Sequence, residues 1–391
     1  MTLWIRAYNV LHGDCLLISW DEIDGKHHAW VDFGNFHNDA NAVFATVYAD
    51  VLKRTRGELD LAVITHRHLD HLEGFSSLRH SFAEDFHIKR LWHSHVTAAA
   101  DDLFHIADNQ MAELLPATAT DAATTLGRIY RNNLQLTTKK RMDDILTDLG
   151  ADSNHALHRQ TDLQATGAIP PGMQRMQVEI LAPEEDSSVY LEPLEQTLTS
   201  RDHLGTHFRQ AAGRVRRGAR DTSEFPLDAS KEGVRGTSPF WGLADFARLR
   251  RKLRTGGLDI LAAVNKTRNN TSLVMRWTYE GHRILLTGDA EETSWEIMRR
   301  EHGDLEADTV KVGHHGSINA SPEWSYTNVM PVKQIANRAL FSCDPSRFTG
   351  ENEVPKEEVL AGWRSRVERS TKVKRTDSVD LGDSVAFRIT V

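Results

Sequence analysis

The chain has 391 residues, with 47 Lys and Arg against 55 Asp and Glu, 20 His and 2 Cys, and a formal net charge of -8. A 40% hydrophobic fraction with 9 Trp and 14 Phe supplies a substantial core and excludes wholesale disorder. Two distant thiols, Cys15 and Cys343, exclude a disulfide framework and a Cys-ligated zinc, so any metal chemistry has to run on His and carboxylates.

At about 150 residues per domain, the length fits two to three ordinary domains or one large domain with an insertion. The first residues show no basic segment followed by an apolar stretch, and no window approaches the ~18 apolar residues that span a bilayer. Free thiols without a leader predict a cytoplasmic protein with no membrane partner. Leu3–Val10 alternates, and Asp14–Trp20 and His28–Phe33 are apolar runs, the second ending in Asp32-Phe33-Gly34. Ala42, Val43, Val47 and Val51 recur at helical spacing and predict a helix from Asn38 to Arg54. Leu59–Thr65 reads as a buried strand and Phe86–Trp92 as the next, an order that predicts layered α/β architecture.

From about Val96 to Gly257 the composition shifts to Ala, Thr, Asp, Gln and Arg. Ala98–Leu115 and Thr118–Leu136 read as helices and Met176–Pro183 as an alternating strand, so 96–257 is expected to be a mainly helical, partly basic insertion capping the site. Residues 201–256 hold 13 Lys and Arg against 6 Asp and Glu, inside a chain that is acidic as a whole. Strands are then expected at Leu258–Val264, Ser272–Tyr279, His282–Thr287, Thr309–Val312, Ala339–Ser342 and Ser384–Val391, with helices at Glu291–Glu301 and Lys356–Arg369.

Three expected strand ends carry chemistry. Thr65-His66-Arg67-His68-Leu69-Asp70-His71 places three imidazoles and a carboxylate directly after a buried strand. His66 and His68 alternate out of an extended segment, while Asp70 and His71 turn into the next helix, a division suited to two adjacent cations sharing a bridging oxygen. Thr287-Gly288-Asp289 ends a second apolar strand, though Gly-Asp alone is a turn more often than a ligand. Gly313-His314-His315-Gly316-Ser317 follows a third. Together the three ends direct metal-ligand types toward one sheet edge.

This combination resembles the metallo-β-lactamase fold superfamily. His66-x-His68-x-Asp70-His71 is similar to its His-x-His-x-Asp-His signature, Asp289 to its bridging aspartate, His314 to its last histidine, and Asp32 to its early structural aspartate. Further motifs resemble the ComEC-like branch, related to competence DNA-uptake proteins. They are Asn9-Val10-Leu11-His12-Gly13-Asp14, Asn269-Asn270-Thr271-Ser272, Lys311-Val312-Gly313-His314-His315-Gly316-Ser317 and Arg375-Thr376-Asp377. The resemblance covers roughly 1–95 and 258–391, which would be two halves of one αββα sandwich divided by the insertion.

The resemblance implies two divalent cations, zinc or alternatively manganese. His66 and His68 would hold one, Asp70, His71 and His314 the other, and Asp289 would bridge them. Asp70 and His315 are the implied catalytic residues, with His315 and Ser317 hydrogen-bonding a substrate oxygen and Asp32 and Asn270 supporting the ligands. Asn269 and Asn270 stand where most of the superfamily has a third histidine, and Glu353-Val354-Pro355 replaces a Gly-His-Pro of the branch. His93 or His95 is the candidate substitute ligand. The implied activity is a nuclease or phosphodiesterase using a metal-activated water, with Arg216, Arg217, Arg250 and Arg251 as candidate nucleic-acid contacts. The alternatives are a hydrolase of a small ester, lactone or nucleotide, and a non-catalytic or conditionally active subunit of a defence-type complex, with a protein partner or a second copy docked on the insertion.

Overall fold

Successive side chains of a strand point to opposite faces, so a run that is apolar throughout has to be covered on both sides. Glu58–Ile64 is such a run: Leu61 and Val63 enter one buried cluster, and Leu59, Ala62 and Ile64 enter another. The computed structural model describes residues 1–35, 40–96, 104, 107, 135–198, 259–346 and 353–390 and shows what those two clusters fill.

The strands are β1 Thr2–Tyr8, β2 Cys15–Asp21, β3 Lys26–Phe33, β4 Glu58–Ile64, β5 His87–Ser94, β6 Asn154–Leu157, β7 Met176–Ala182, β8 Val274–Tyr279, β9 His282–Leu286, β10 Thr309–Lys311, β11 Arg338–Phe341, β12 Val373–Arg375 and β13 Ser384–Thr390. They form two mixed sheets, ordered β13-β1-β2-β3-β4-β5-β6 and β12-β11-β10-β9-β8-β7. In the first, pairing is parallel from β3 to β6; in the second, from β9 to β12. Ile5, Ile18, Val31 and Val63 of the first sheet pack against Met275, Trp277, Ile284 and Leu340 of the second. Trp20 meets Trp277 edge to face at 6.3 Å.

Helices cover the outer faces. α1 Ala40–Thr55, α2 Leu69–Ser77, α3 Arg79–Asp85 and α4 Gln135–Asp148 bury Phe44, Val47, Phe75, Phe82 and Ile145 against the first sheet. α5 and α6 span residues 188–198 and 259–270. α7 Glu292–His302, α8 Glu323–Val329 and α9 Glu357–Ser365 bury Trp295, Met298, Val329 and Trp363 against the second sheet. The molecule is thus an α/β sandwich of two mixed sheets with helices outside. No helix among the described residues is long and apolar enough to cross a membrane.

The expected strand at 258–264 is a correction, because 259–270 is helical. Ile260, Leu261 and Val264 recur on one helical face and pack with Leu194 and Leu198 of α5 and with Val96 and Phe104. The strand expected near 176–183 is β7, at the edge of the second sheet; β6, at the edge of the first, was not anticipated. The range 135–182 therefore contributes directly to both sheets. The helices expected over 98–115 and 118–136 lie almost wholly outside the described residues, and the basic segment 201–256 lies entirely outside them.

The backbone following β3 fits tightly against the start of α2. Asp14 N–H donates to the Asp70 carbonyl at 2.9 Å, and Gly34 N–H donates to the Asp14 carbonyl at 3.0 Å. A Cβ on Gly34 would overlap the Asp70 carbonyl carbon and the His71 nitrogen, so no larger residue fits. Gly34→Ala is expected to destabilise the fold by about 1–3 kcal/mol, the usual cost of forced overpacking, read from the urea midpoint.

Two histidines inside the strand layers are buried and neutral. His28 Nδ1 lies 2.8 Å from Ser19 Oγ, and His282 Nε2 lies 2.9 Å from Thr309 Oγ1. Burial pushes both imidazoles down to about 4 from an ordinary 6.5. The unfolded chain then binds more protons between those values, so their contribution is intact above about pH 6.5 and lost as pH falls toward 4. Urea midpoints should drop between pH 7 and pH 4.5, and His28→Gln should flatten that slope.

Candidate metal centre

The polar residues arrive from the C-terminal ends of the parallel strands. Asp32, one residue before the end of β3 and with φ of 53°, accepts hydrogen bonds from the Thr65 N–H and hydroxyl, each at 2.8 Å, tying β3 to the end of β4. His66 and His68 follow, with His66 Nε2 3.0 Å from His68 Nδ1 and the His66 ring 4.1 Å from the His71 ring. His71, in the first turn of α2, places Nδ1 2.8 Å from Asp32 Oδ2 and Nε2 3.2 Å from Asp289 Oδ2. The Nδ1–H therefore donates to Asp32, leaving Nε2 as the atom facing inward.

The second sheet supplies the other side. After β9, Gly288 takes φ of +51° with Ser272 close by, and the Asp289 N–H donates to Ser272 Oγ at 3.1 Å. After β10, His314 and His315 both take left-handed φ values, 45° and 55°, a conformation that costs a non-glycine residue about 1–3 kcal/mol. That turn sends the two rings in different directions. His315 Nδ1 reaches the Ser342 carbonyl at 3.0 Å, and its Nε2 lies 3.2 Å from Asp70 Oδ2. His314 stays partly exposed, with its N–H donating to Asp289 Oδ1 at 2.9 Å and Nδ1 3.3 Å from Glu291 Oε1.

One ligand atom from each of Asp70, His71, Asp289 and His315 lies within 4.8 Å of the other three, and all four residues are buried. Tetrahedral donors at about 2.0–2.2 Å from one ion lie about 3.3–3.6 Å apart, so the wider pairs of this group would draw together on binding. His71 Nε2 and Asp289 Oδ2 are buried atoms with no hydrogen bond, aimed at one another across the centre. Two imidazoles and two carboxylates suit zinc or manganese, and this set can hold a divalent ion. A second group, Asp14, Asp32 and His71, shares the His71 ring.

The electrostatics follow the same geometry. Burial alone would push Asp70 and Asp289 up, but His315 beside Asp70 and His71 beside Asp289 hold both well below the usual carboxylate range. Burial, with His71 and His68 nearby, keeps the His66 imidazole well below its ordinary value and so neutral. Burial also acts to lower His71, yet Asp289 and Asp32 outweigh it and raise this ring well above 6.5. His314, pulled down by burial, is lifted by Glu291 to about 9.

Of the residues singled out in the sequence, Asp70, His71, Asp289 and His315 come together, with Asp32 directly behind His71. His66 and His68 form an adjoining pair. His315, not His314, has its ring among the four. Asn270 Nδ2 donates to the Lys266 carbonyl at 2.9 Å, and its Oδ1 accepts from the Ser294 N–H at 3.0 Å, so it caps the first turn of α7. Ser317 Oγ donates to Asn319 at 2.5 Å. His93 and His95 lie against the carbonyls of Ser94 and Glu185, outside the group of four. Arg216, Arg217, Arg250 and Arg251 lie outside the described residues.

Sequence reasoning assigned no role to Asp14, Lys311, His12 or Glu291. Lys311 Nζ forms an ion pair with Asp14, His12 Nε2 lies 3.9 Å from Asp70 Oδ2, and Glu291 orients His314. Asp14, His12 and Lys311 all stand inside motifs that carried the resemblance, which is the signal that would have found them.

Compared with protein-family models and with curated proteins, the chain matches none.

Asp32→Asn keeps the shape of this carboxylate but removes its charge and one acceptor from His71 Nδ1–H. Losing such support for a ligating imidazole costs about 10–100-fold in metal affinity, and a chelator-competition titration of the variant should show a loss in that range.

Proposed function

We propose that the chain is a metal-dependent hydrolase of the metallo-β-lactamase fold, of the ComEC-like branch, and that it cleaves phosphodiester bonds in nucleic acid. The observation that carries this reading is the convergence of Asp70, His71, Asp289 and His315, contributed by both sheets, on one buried point. Ligand sites at the C-terminal ends of parallel strands are a general property of open α/β sheets. Asp70, His71 and Asp289, three of the residues that carry the resemblance, are among the four that meet here, and His315 stands beside a fourth, His314.

Asp70, His71, Asp289 and His315 would hold a divalent ion. When bound, such an ion lowers the pKa of a water and stabilises charge building on a phosphoryl oxygen. The chain's own residues do the remaining work. Asp32 fixes the His71 tautomer through Nδ1. His315 is locked by the Ser342 carbonyl and is fully buried, so contact with a substrate oxygen, expected of His315, falls to His314 at the rim. Glu291 holds His314 in place and is itself fixed by Asn269 Nδ2 at 2.7 Å.

The test uses the full chain loaded with zinc or manganese and labelled single-stranded DNA and RNA. Metal-stimulated cleavage that EDTA abolishes is expected. His71→Ala and Asp289→Ala should each reduce it by more than the ~100-fold associated with losing an outer hydrogen-bond partner at a metal site. Metal-loaded protein that turns over only a lactone or simple ester would replace the nuclease reading with the ester-hydrolase one. Inertness toward every phosphodiester would overturn it.

A further inference from the structure

The chain carries a formal charge of -8, yet one edge of the sandwich gathers cations with little to balance them. β13 ends the first sheet and β12 the second, and the two edges meet where Lys374 Nζ donates to the Ala386 carbonyl at 2.8 Å. Lys374 Nζ and the Arg338 guanidinium both lie over the Phe387 ring, 5.4 Å and 6.0 Å from its centre. Phe387 belongs to the cluster between the sheets, so these two cations stand on the inner side of β13. On its outer side, Arg6 lies opposite Ala386 and donates to Ser384 Oγ at 2.7 Å. Arg388, two residues along, is exposed, with its guanidinium 5.5 Å from the centre of the Trp4 ring.

These charges act on one another. Burial together with Arg338, Arg369 and Lys374 holds the Lys372 ammonium below its ordinary value, and burial with Arg6 does the same to Lys374. Among the described residues none of the six is in an ion pair. Asp308, near Arg338, lies 3.9 Å from Arg283 Nε, and Asp50, near Arg6, lies 2.6 Å from Arg54 Nε. Like charges gathered this way repel, and an anion laid across them relieves the repulsion. Backbone phosphates do so while releasing their own counter-ions. Because the cations stand on both sides of β13, a flexible strand can follow them around the edge, whereas a flat bilayer would meet one side.

We propose that the edge where β12 and β13 meet binds the phosphate backbone of a nucleic-acid strand through Arg6, Arg338, Arg369, Lys372, Lys374 and Arg388. The inference rests on the nucleic-acid reading above for its partner, but the surface shares no residue with the metal centre.

The test is binding of a labelled oligothymidylate to the full chain in EDTA, read by anisotropy over a range of salt, so that neither metal nor cleavage takes part. Binding that weakens with salt is expected. For a single strand each phosphate contact adds about 0.7 to the logarithmic salt slope, which is about fivefold in affinity at about 0.1 M salt. Lys372→Gln with Lys374→Gln should therefore lower affinity about 25-fold and the slope by about 1.4, and Arg369→Gln with Arg388→Gln should do the same. Lys372→Arg with Lys374→Arg should bind as the unaltered chain does. So should Arg299→Gln with Arg300→Gln, on α7, whose His302 Nε2 lies 3.2 Å from the Leu181 carbonyl of β7 at the far edge of the second sheet. Unchanged binding in the two patch variants, an equal loss in the α7 variant, or attachment of the unaltered chain to anionic vesicles and not to the oligonucleotide overturns the inference. Should the lysine pair fail to fold, the variant at the exposed Arg369 and Arg388 decides. Binding by a chain that cleaves no phosphodiester leaves this inference standing and overturns the catalytic reading alone.

Discussion

The enclosure of four carboxylates at the edge where the parallel strands of both sheets end is the constraint on which the rest of the structure depends. A carboxylate removed from water needs hydrogen-bond donors or a cation close by. Each has a distinct solution: Asp32 uses Thr65 and His71, Asp70 uses His315, Asp14 uses Lys311, and Asp289 uses His71 and the His314 N–H. Almost every partner comes from a different strand end. Satisfying the charges and aligning the two sheets are therefore one physical problem.

The same edge gathers unusual backbone. Asp32, His314 and His315 adopt left-handed φ, and Gly34 and Gly288 sit where a side chain would collide with neighbouring chain. Such conformations persist only where surrounding packing determines them. Here that packing is the doubly covered strands, with Trp20, Trp277 and their neighbours between the sheets and Trp295 and Trp363 outside the second. The outer and inner cores hold the strand ends; the strand ends hold the ligand atoms. Sandwich stability and site geometry are linked through the few residues that join them.

Much of this was legible in the sequence, and the exceptions have physical reasons. Apolar runs such as Leu59–Thr65 and His282–Thr287 announce doubly buried strands, and the polar residues directly after them mark the site edge. The run at 258–264 misled because a short apolar stretch fits a strand as well as a helical face, and only its contacts with α5 and Phe104 separate the two. β6 was missed because Asn154–Leu157 is short and polar, an edge strand defined by its pairing with β5 and not by its side chains. The resemblance assigns the ligand role to His314, whereas a pair of left-handed residues, which no periodicity encodes, turns the His315 ring inward instead. Lys311 carries no metal-ligand side chain to draw notice, and its place beside Asp14 is set by the packing of the two sheets.

β13 lies beside β1 at the edge of the first sheet, and His315 meets Asp70 across 245 residues of chain. The edge of β1 stays open, and Asp70 lacks the His315 contact, until the segments carrying β13 and His315 have joined the fold. Contacts this distant in sequence are slow to form because the intervening loop must close first. Closing the first sheet and bringing His315 to Asp70 thus both join segments far apart in the chain, so the sheet edge and the polar cluster are expected to form late in folding and together.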